Sequence, residues 1–377
     1  MDQLVPGERL MKFSACAPLF AIVLMLSATA QMPPKKSGSP VKAAPPATDN
    51  AKPKFKAIWE PVNYPQDAEL TSVYFTNADV GWVTGLKRTD AGEGGFIIHT
   101  TDGGEHWNLQ MGDPLSGTRS ITNMFFQNPT HGWAGQFGGQ LLRTTDGENW
   151  ESAGKFETLN PYAFISPAVG FAAHNSELRR TDDAGKSWKV IFTCQASVEV
   201  QGLRRDQRCD FISLHFATPQ VGFAASSKLE DGTSAVFKTS NGGESWALIS
   251  FLSSYAHHRT IGFADADTGF IKTSAGLMGT FDGGKTWKGV PVSMPGNNPI
   301  HFAQQVGWFV ENNTFAYTGN GGKRWNSVDL RLPARVNDFS LPRPDRGYVV
   351  GEHGMVYRYR VVPIEYTGKG MIPAPAM

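Results

Sequence analysis

A short phrase of the form T-x-D-G-G-x-x-W recurs along the chain, and this recurrence restricts the possible fold more than any other feature. Each copy places an Asp or Asn and one or two small residues between a threonine and a tryptophan, a composition typical of a tight turn between strands. A phrase that returns roughly every 40 to 50 residues indicates a repeat fold. Five full copies and one that lacks a glycine end at Trp107, Trp150, Trp188, Trp246, Trp287 and Trp325.

A second phrase consists of an apolar strand, a short polar turn, and then glycine followed by an aromatic residue. Its seven copies are Gly81-Trp82, Gly132-Trp133, Gly170-Phe171, Gly222-Phe223, Gly269-Phe270, Gly307-Trp308 and Gly347-Tyr348. Alternation of apolar and polar residues divides each unit into four strands. In the second unit we predict strands at Ile121–Phe126, Gly132–Gln136, Gln140–Thr144 and Asn149–Ser152. The sequence therefore predicts an all-β fold, a seven-bladed β-propeller of four-stranded antiparallel blades.

The two ends of the repeat array predict how the ring closes. The seventh unit has its Gly-aromatic pair but no Asp box, whereas Trp59 precedes the first unit without a box of its own. We therefore expect the N-terminal segment to supply the outermost strand of the last blade, which leaves no open gap in the ring. The propeller is predicted to span residues 55–362, followed by a C-terminal tail at 363–377.

The Asp or Asn of each box is expected to shape a turn rather than to bind a metal. A carboxylate or amide oxygen accepts hydrogen bonds from backbone N–H groups a few residues later, and glycine tolerates the positive φ angles of such turns. Asn replaces Asp in two boxes, which keeps the acceptor oxygen but removes the charge that a metal would need. The tryptophan of each box is expected to pack against the neighbouring blade. These turn residues are Asp102, Asp146, Asp183, Asn241, Asp282 and Asn320.

The N-terminal region has the features of an exported protein. Residues 1–30 contain Lys12, an apolar run at Ala17–Leu26 and a small-residue cleavage site at Ala28–Ala30, the pattern of a signal peptide. Met11 is an alternative start that fits this pattern better than Met1. Residues 31–54 are rich in Pro, Lys and Ala and are expected to form a disordered linker. We therefore predict a periplasmic or extracellular protein.

Two cysteines, Cys194 and Cys209, remain after the signal peptide. In an oxidising compartment an isolated pair in one polar segment is typical of a disulfide rather than of a metal or catalytic site. We therefore expect a disulfide that closes a surface loop.

Basic residues gather in the segments that depart from the regular repeat, among them an insertion loop expected at Leu86–Gly95 and a long connector expected at Thr193–Asp210. Strand direction places the hairpins between second and third strands, and the connectors between blades, at the end opposite the Asp boxes. Loops on a rigid scaffold are where binding usually occurs, and arginines there could hold the carboxylates of an acidic partner. The alternative is a set of separate, solvated arginines. The candidates are Arg88, Arg119, Arg204, Arg205, Arg259 and Arg335.

Signals for chemistry are sparse. The formal net charge of +1 gives no general attraction to nucleic acid. The nine histidines show no metal-ligand spacing, and no cofactor motif stands in a suitable context. Glycoside hydrolysis would require two facing carboxyl groups. The candidate carboxylates on the loop end are Asp67, Glu69, Asp113, Asp206 and Asp210.

Together the two phrases make the chain resemble the photosystem II stability/assembly factor family of BNR propellers. This resemblance implies a non-catalytic, monomeric factor without a cofactor that binds a protein partner, membrane-associated or acidic, through a basic patch. Asp boxes also occur in sialidases and other glycoside hydrolases, which gives an enzymatic alternative. The Arg-Ile-Pro phrase expected of a sialidase is missing from the sequence.

Overall fold

The computed structural model describes residues 55–364, except 91, 113–117, 156–160, 254–259, 274–275, 293–297 and 312. Several predictions concern residues outside this description: the signal peptide, the linker, Arg259, Asp113 and the tail beyond residue 364. Within the described residues, no helix is both long and apolar enough to cross a bilayer.

The described chain consists almost entirely of short strands, with one turn of 3₁₀ helix at Glu352–Gly354. In chain order the strands are β1 (Phe55–Pro61), β2 (Glu69–Phe75), β3 (Gly81–Thr89), β4 (Gly92–Thr100), β5 (Asn108–Met111), β6 (Ile121–Phe126), β7 (Gly132–Gln136), β8 (Gln140–Thr144), β9 (Glu151–Lys155), β10 (Tyr162–Phe164), β11 (Gly170–His174), β12 (Glu177–Thr181), β13 (Lys189–Thr193), β14 (Gln195–Val200), β15 (Leu203–Arg208), β16 (Phe211–Phe216), β17 (Gly222–Lys228), β18 (Thr233–Thr239), β19 (Ala247–Ser253), β20 (Ile261–Phe263), β21 (Gly269–Thr273), β22 (Gly276–Thr280), β23 (Lys288–Val290), β24 (His301–Ala303), β25 (Val306–Glu311), β26 (Thr314–Thr318), β27 (Asn326–Asp329), β28 (Val336–Arg343), β29 (Arg346–Gly351) and β30 (Val356–Pro363).

These strands form seven four-stranded antiparallel sheets, which confirms the predicted seven-bladed propeller. Blade 1 comprises β2–β5, blade 2 β6–β9, blade 3 β10–β13, blade 4 β16–β19, blade 5 β20–β23 and blade 6 β24–β27. Blade 7 comprises β28–β30 together with β1. Strand β1 pairs antiparallel with β30, with Trp59 opposite Tyr359, so the N-terminal strand closes the ring as expected.

Stacked aromatic rings hold neighbouring blades together, and they explain the Gly-aromatic phrase. The aromatic residue of each pair faces a ring at the end of the innermost strand of the next blade. Six of the seven interfaces have such a stack, with ring centroids 3.5 to 5.6 Å apart: Trp82–Phe126, Trp133–Phe164, Phe171–Phe216, Phe223–Phe263, Phe270–Phe302 and Tyr348–Phe75. At the seventh interface Trp308 instead meets Trp59 and Tyr359.

The glycine of the phrase is required because the innermost phenylalanine of the same blade lies over it. A Cβ at Gly132 would lie 2.3 Å from the ring of Phe126, and one at Gly269 would lie 2.4 Å from Phe263. The box tryptophan of the blade packs edge-on against the same phenylalanine. In blade 2 the ring centroids of Phe126 and Trp150 are 5.8 Å apart, and the angle between the ring planes is 88°. Each such phenylalanine therefore packs against its own blade and the preceding one.

Three segments differ from the sequence-based expectations. The fourth strand of blade 2 is Glu151–Lys155 rather than Asn149–Ser152, because the Asn149 amide and side chain both bind Asp146 in the turn. The segment at 86–95, expected to be an insertion loop, continues the ladder of β3 and β4 out to Thr89 and Gly92. The segment at 193–210, expected to be a long connector, forms the additional hairpin β14–β15.

Candidate functional site

The irregular segments of the propeller lie at one of its two ends, which we call the connector face. It carries the hairpins between the second and third strands of each blade and the connectors that lead to the next blade. These segments contact one another across blades: the Gly95 amide donates to Thr118 O, and the Gly354 amide to Ala68 O, both at 2.7 Å. The opposite end, which carries the Asp-box turns, is called the Asp-box end.

Hydrogen bonds inside each box account for its sequence. In the fifth blade the Thr280 hydroxyl donates to Asp282 Oδ1 at 2.8 Å and accepts from the Gly284 amide at 2.9 Å. The amide and hydroxyl of Thr286 bind the two carboxylate oxygens of Asp282. The hydrogen bond from the Thr286 hydroxyl is the main reason that the pKa of Asp282 is lowered to about 2. The carboxylate is therefore fully used within the turn.

The two boxes with Asn keep the same turn geometry, although the side chain is a neutral amide instead of a carboxylate. Asn241 Oδ1 accepts from the Thr239 hydroxyl at 2.9 Å and from the Ser245 amide at 3.1 Å, while Asn241 Nδ2 donates to Ser245 Oγ. Asn320 repeats the acceptor role toward Thr318 and Arg324. A neutral amide serves equally well, so the boxes act as turns at the end away from the connector face.

Arg88 lies on the connector face at the seam between blades 7 and 1. Its guanidinium is 3.1 Å from Glu93 and 3.8 Å from Glu69, so acidic neighbours on its own blade offset its charge. Together with Glu69 and His353 it lines an open hollow of about 390 Å³. His353 has a φ of 57° and lies 3.1 Å from Asp67. This part of the face is mixed in charge.

Arg335 lies on the connector from blade 6 to blade 7, next to this hollow. Its carbonyl accepts from the Glu352 amide at 3.2 Å, and its exposed side chain borders a shallow depression formed with Leu332 and Pro333. Arg119 lies on the connector from blade 1 to blade 2, where its guanidinium extends along the turn at Gly138. The neighbouring Phe137 is 68% exposed, an unusual position for a large aromatic ring.

The hairpin β14–β15 carries Arg204 and Arg205. The structure joins Cys194 and Cys209 in a disulfide at its base, and both cysteines are buried. Ala196 and Val198 pack into the core beneath, whereas the whole of Leu203–Asp206 is exposed. The turn at Gln201 and Gly202 has positive φ at both positions, as expected for a two-residue hairpin turn. The sequence thus folds an amphipathic hairpin over the junction of blades 3 and 4.

Acidic residues accompany the arginines of this hairpin. Arg205 lies 3.8 Å from Glu230 on the neighbouring hairpin of blade 4, and Arg204 is paired across the ladder with Glu199. The five described candidate arginines are therefore spread around the connector face from blade 6 to blade 4. They lie on four separate segments, since only Arg204 and Arg205 share one, the hairpin β14–β15.

The sequence-predicted carboxylates do not form a catalytic arrangement with one another in the described part of the chain. Asp67 binds His353, Glu69 faces Arg88, and Asp206 accepts from the hydroxyl of Ser197. The Asp210 amide binds Ser227 Oγ at 3.4 Å. Among the described residues, no group of three or more His, Cys, Asp or Glu side chains could hold a metal ion.

Polar side chains on the innermost strands were not anticipated from the sequence. Asp338 on β28 accepts from the Ser72 hydroxyl at 2.8 Å and from the Val73 amide at 2.9 Å on β2. Ser340 accepts from the Phe75 amide at 2.9 Å. Burial raises the pKa of Asp338 to about 6 in spite of these hydrogen bonds. The inner edge of the ring-closing seam is therefore held by side chains, because innermost strands have no further strand to pair with.

A buried ion pair links blades 5 and 6 near the connector face. Lys272 on β21 binds Glu311 on β25, and Lys272 Nζ also donates to the Asn298 carbonyl at 3.0 Å. The Asn298 amide in turn donates to Glu311 Oε1 at 2.8 Å. Burial lowers the pKa of Lys272, against the opposing effect of the Glu311 carboxylate. Sequence alone could not have paired residues 39 positions apart on different blades.

The fold and its connector face define the chain as an Asp-box β-propeller with its charged, irregular segments gathered at one end. The chain belongs to the family described as photosynthesis system II assembly factor YCF48, whose sequence profile matches residues 51–218 and 240–359. The match covers most of the propeller, from the closing strand β1 to β30. The resemblance drawn from the two repeated phrases is therefore confirmed.

Known relatives agree with this assignment. The photosystem II assembly lipoprotein Ycf48 of Synechococcus sp. (strain CC9902) is 27% identical over 163 residues, 41% of this chain and 46% of that protein. The chain thus matches less than half the length of this curated relative. The solved structure of YCF48 from Cyanidioschyzon merolae is 20% identical in sequence and aligns with a TM-score of 0.58. The alignment covers 80% of this chain and 98% of that protein's chain. YCF48 bound to D1 peptide is 18% identical with a TM-score of 0.56, covering 80% and 96%. At these identities the structural similarity shows a shared fold.

Proposed function

We propose that this protein is an exported, non-catalytic assembly factor that binds a protein partner on its connector face. The family match over most of the propeller is the observation that carries this proposal. One solved member of the same fold is bound to a D1 peptide, which supports a peptide segment of a photosystem II subunit as the partner. The monomeric state and the export of this chain are parts of the same proposal.

The chemistry of the connector face suits a partner with both acidic and apolar groups. Arg204 and Arg335 have exposed side chains that form no ion pair with another described residue, and they lie on segments that depart from the regular repeat. Exposed Leu203 and Phe137 offer apolar contact on the same face, at 61% and 68% exposure. Arginines beside exposed apolar side chains are typical of binding surfaces. The Asp-box end uses its carboxylates within its own turns and lacks such insertions.

The proposal is tested by measuring the affinity of the purified full chain for a D1 peptide, the probe that a relative binds. Arg204→Glu and Arg335→Glu should each weaken binding about tenfold or more, because each removes a charge-assisted contact and adds a repulsion. Arg324→Glu is the matched control, since this exposed arginine lies on the Asp-box end. Equal affinities for all three variants would reject the connector face as the binding surface.

The non-catalytic and exported parts of the proposal have separate tests. Turnover of chromogenic glycosides or sialosides by the purified chain, abolished by an Asp67→Asn or Glu69→Gln change, would establish the enzymatic alternative instead. Sequencing the N-terminus of the mature protein from its native host should show cleavage after Ala30. An uncleaved start at Met1 or Met11 in the cytoplasmic fraction would contradict export.

A further inference from the structure

A groove lies at the outer edge of the seam between blades 7 and 1. It measures about 550 Å³ and lies between the segment that follows β1 and the outermost strand of blade 1. Its apolar lining includes Tyr64, Pro65, Phe96, Trp107 and Leu109. Such a groove, walled by aromatic rings and a proline, is typical of sites that accept an extended, apolar peptide segment.

Two lining residues of the groove present an apolar side chain and an indole N–H to whatever binds there. Leu109 on β5 is 62% exposed although it lines an apolar surface. The indole nitrogen of Trp107 is buried without a hydrogen-bond partner among the described residues, as are those of Trp246 and Trp325 in other blades. At the next seam, Gln110 accepts from the indole of Trp150 at 3.0 Å. Gln110 is the third residue after Trp107, the box tryptophan of blade 1. The equivalent position on the closing strand of blade 7, the third after Trp59, is Val62, whose side chain has no hydrogen-bond acceptor.

The last strand, after which the C-terminal segment leaves the propeller, contacts a residue that lines the groove. Strand β30 ends at the Asp-box end, where the Val361 amide binds the Asp345 carbonyl in the turn between β28 and β29. Arg358 of β30 donates to the Gly103 carbonyl at 3.3 Å and to Glu105 at 3.0 Å. Glu105 belongs to the Asp-box turn of blade 1 and also lines the groove. The last strand is therefore in direct contact with the mouth of the groove.

The C-terminal segment has the reach and the composition to fill this groove. Residues 365–377 number 13, which in an extended conformation span about 40 Å. This reach is greater than the spacing of about 10 Å between adjacent packed sheets, so the segment is long enough to pass from blade 7 to the groove. The segment contains Met371, Ile372, Pro373 and Pro375, and prolines pack well against tryptophan and tyrosine rings in extended recognition.

We propose that residues 365–377 bind in cis in the groove between blades 7 and 1, with the apolar stretch Met371–Pro375 against Trp107, Tyr64 and Leu109. The segment would then cover the outer edge of β5. This inference goes beyond the proposed function, because it involves only residues of this chain.

Hydrogen exchange on the full chain and on a chain that ends at Ile364 tests the proposal. Removing the segment should increase the exchange of the amides at Asn108–Met111, whereas those of β13 at Lys189–Thr193, the same strand in blade 3, should not change. Adding a synthetic peptide of residues 364–377 to the shortened chain should restore the protection. Unchanged exchange at Asn108–Met111, or a peptide without effect, would overturn the proposal.

A matched pair of variants locates the binding surface. Leu109 and Val190 each follow a box tryptophan by two residues and are 62% and 50% exposed, so Glu at either position should leave the fold intact. Leu109→Glu should weaken binding of the labelled peptide to the shortened chain at least tenfold, and Val190→Glu should not. Equal binding by both variants would show that the groove is not the binding site. Equal affinity for unrelated proline-containing peptides would show that the groove binds a segment of another protein instead.

Discussion

At the scale of single residues, the Asp box is a small hydrogen-bond network centred on the side chain of its Asp or Asn. Asp282 accepts from the Thr280 hydroxyl and from the Thr286 amide, and Asn241 fills the same role in blade 4 without a charge. The natural occurrence of both residues in one chain shows that the acceptor oxygen, and not the charge, is what the turn requires.

A pair of substitutions at Asp282 separates these two properties. Asp282→Ala removes the acceptor and should lower the free energy of unfolding by about 1 kcal/mol, comparable to the loss of a capping side chain. Asp282→Asn keeps the acceptor, so its free energy of unfolding at pH 7 should stay within about 0.5 kcal/mol of the parent. Chemical denaturation measures both, and a loss that is equal in the two variants would show that the charge matters.

Asp338 is a buried carboxyl whose titration should appear in the stability of the protein. Its pKa is about 6 in the folded state, above the ordinary value of about 3.9 expected in the unfolded chain. The folded state therefore binds more protons between these values, so this group favours folding most below about pH 4 and loses that contribution as pH rises through 6.

The difference between the parent and an Asp338→Asn variant should therefore depend on pH. Relative to the variant, the parent should lose on the order of 2 kcal/mol of unfolding free energy between pH 4 and 7. The parent must be compared with the variant because burial lowers the pKa values of His215 and His301 to about 4. Their contribution to the free energy of unfolding therefore rises with pH over the same range, opposite to that of Asp338. A difference that is constant with pH would contradict the buried-carboxyl assignment.

At the scale of elements, the hairpin β14–β15 is the clearest departure from the regular blade. Its inward side chains Ala196 and Val198 are buried, while its arginines are exposed. The alternation of QASVEV and the Gln-Gly turn were visible in the sequence, but a polar segment between two blades carries no signal that it must fold back on itself. The buried disulfide and the core beneath the hairpin supply the missing constraint.

Replacing both cysteines by alanine should loosen this element first. The disulfide closes a loop with a sequence separation of 15, for which chain entropy gives about 3 kcal/mol. We expect a loss of this size in chemical denaturation and faster hydrogen exchange at Gln195–Arg208. Exchange in blade 1, none of whose strands pairs with the hairpin in the described chain, should remain as it was. A variant as stable as the parent would contradict a structural role for the disulfide.

At the scale of the whole molecule, the ring is closed by an outer strand and by an inner polar clasp at the same seam. On the outside, β1 pairs with β30, and Glu60 accepts from Arg360 at 2.7 Å. The hydrogen bond from Arg360 is the main reason that the pKa of Glu60 is lowered. On the inside, Asp338 and Ser340 bind the backbone of β2. Blade 7 is therefore built from the first strand and the last three strands of the propeller.

Trp59→Ala tests the outer closure. The ring of Trp59 packs against Trp308, Phe315 and Tyr359, so its loss should lower the free energy of unfolding by about 3 kcal/mol, as for other large core residues. Phe55→Ala on the same strand is the control, since Phe55 is 59% exposed and its loss should have little effect. Equal effects of the two changes would mean that Trp59 does not hold the closing strand.

Much of this architecture could be read from the sequence because it depends on local chemistry. Strands β6, β7 and β8 have the predicted bounds, since Gly-aromatic pairs and box turns fix where strands begin and end. The inner clasp of Asp338 and the Lys272–Glu311 pair could not be predicted, because each joins residues that only the closed ring brings together. The positions of Arg204 and Arg335 likewise depend on connectors without a repeated pattern.

The central claim is that the connector face, and not the Asp-box end, binds the protein partner. Hydrogen exchange on the full chain with and without saturating D1 peptide tests it most directly. We expect new protection at Gln195–Arg208 and at residues 331–338, with no change in the turns at residues 101–106 and 281–286. Protection confined to the Asp-box turns, with none on the connector face, would contradict it.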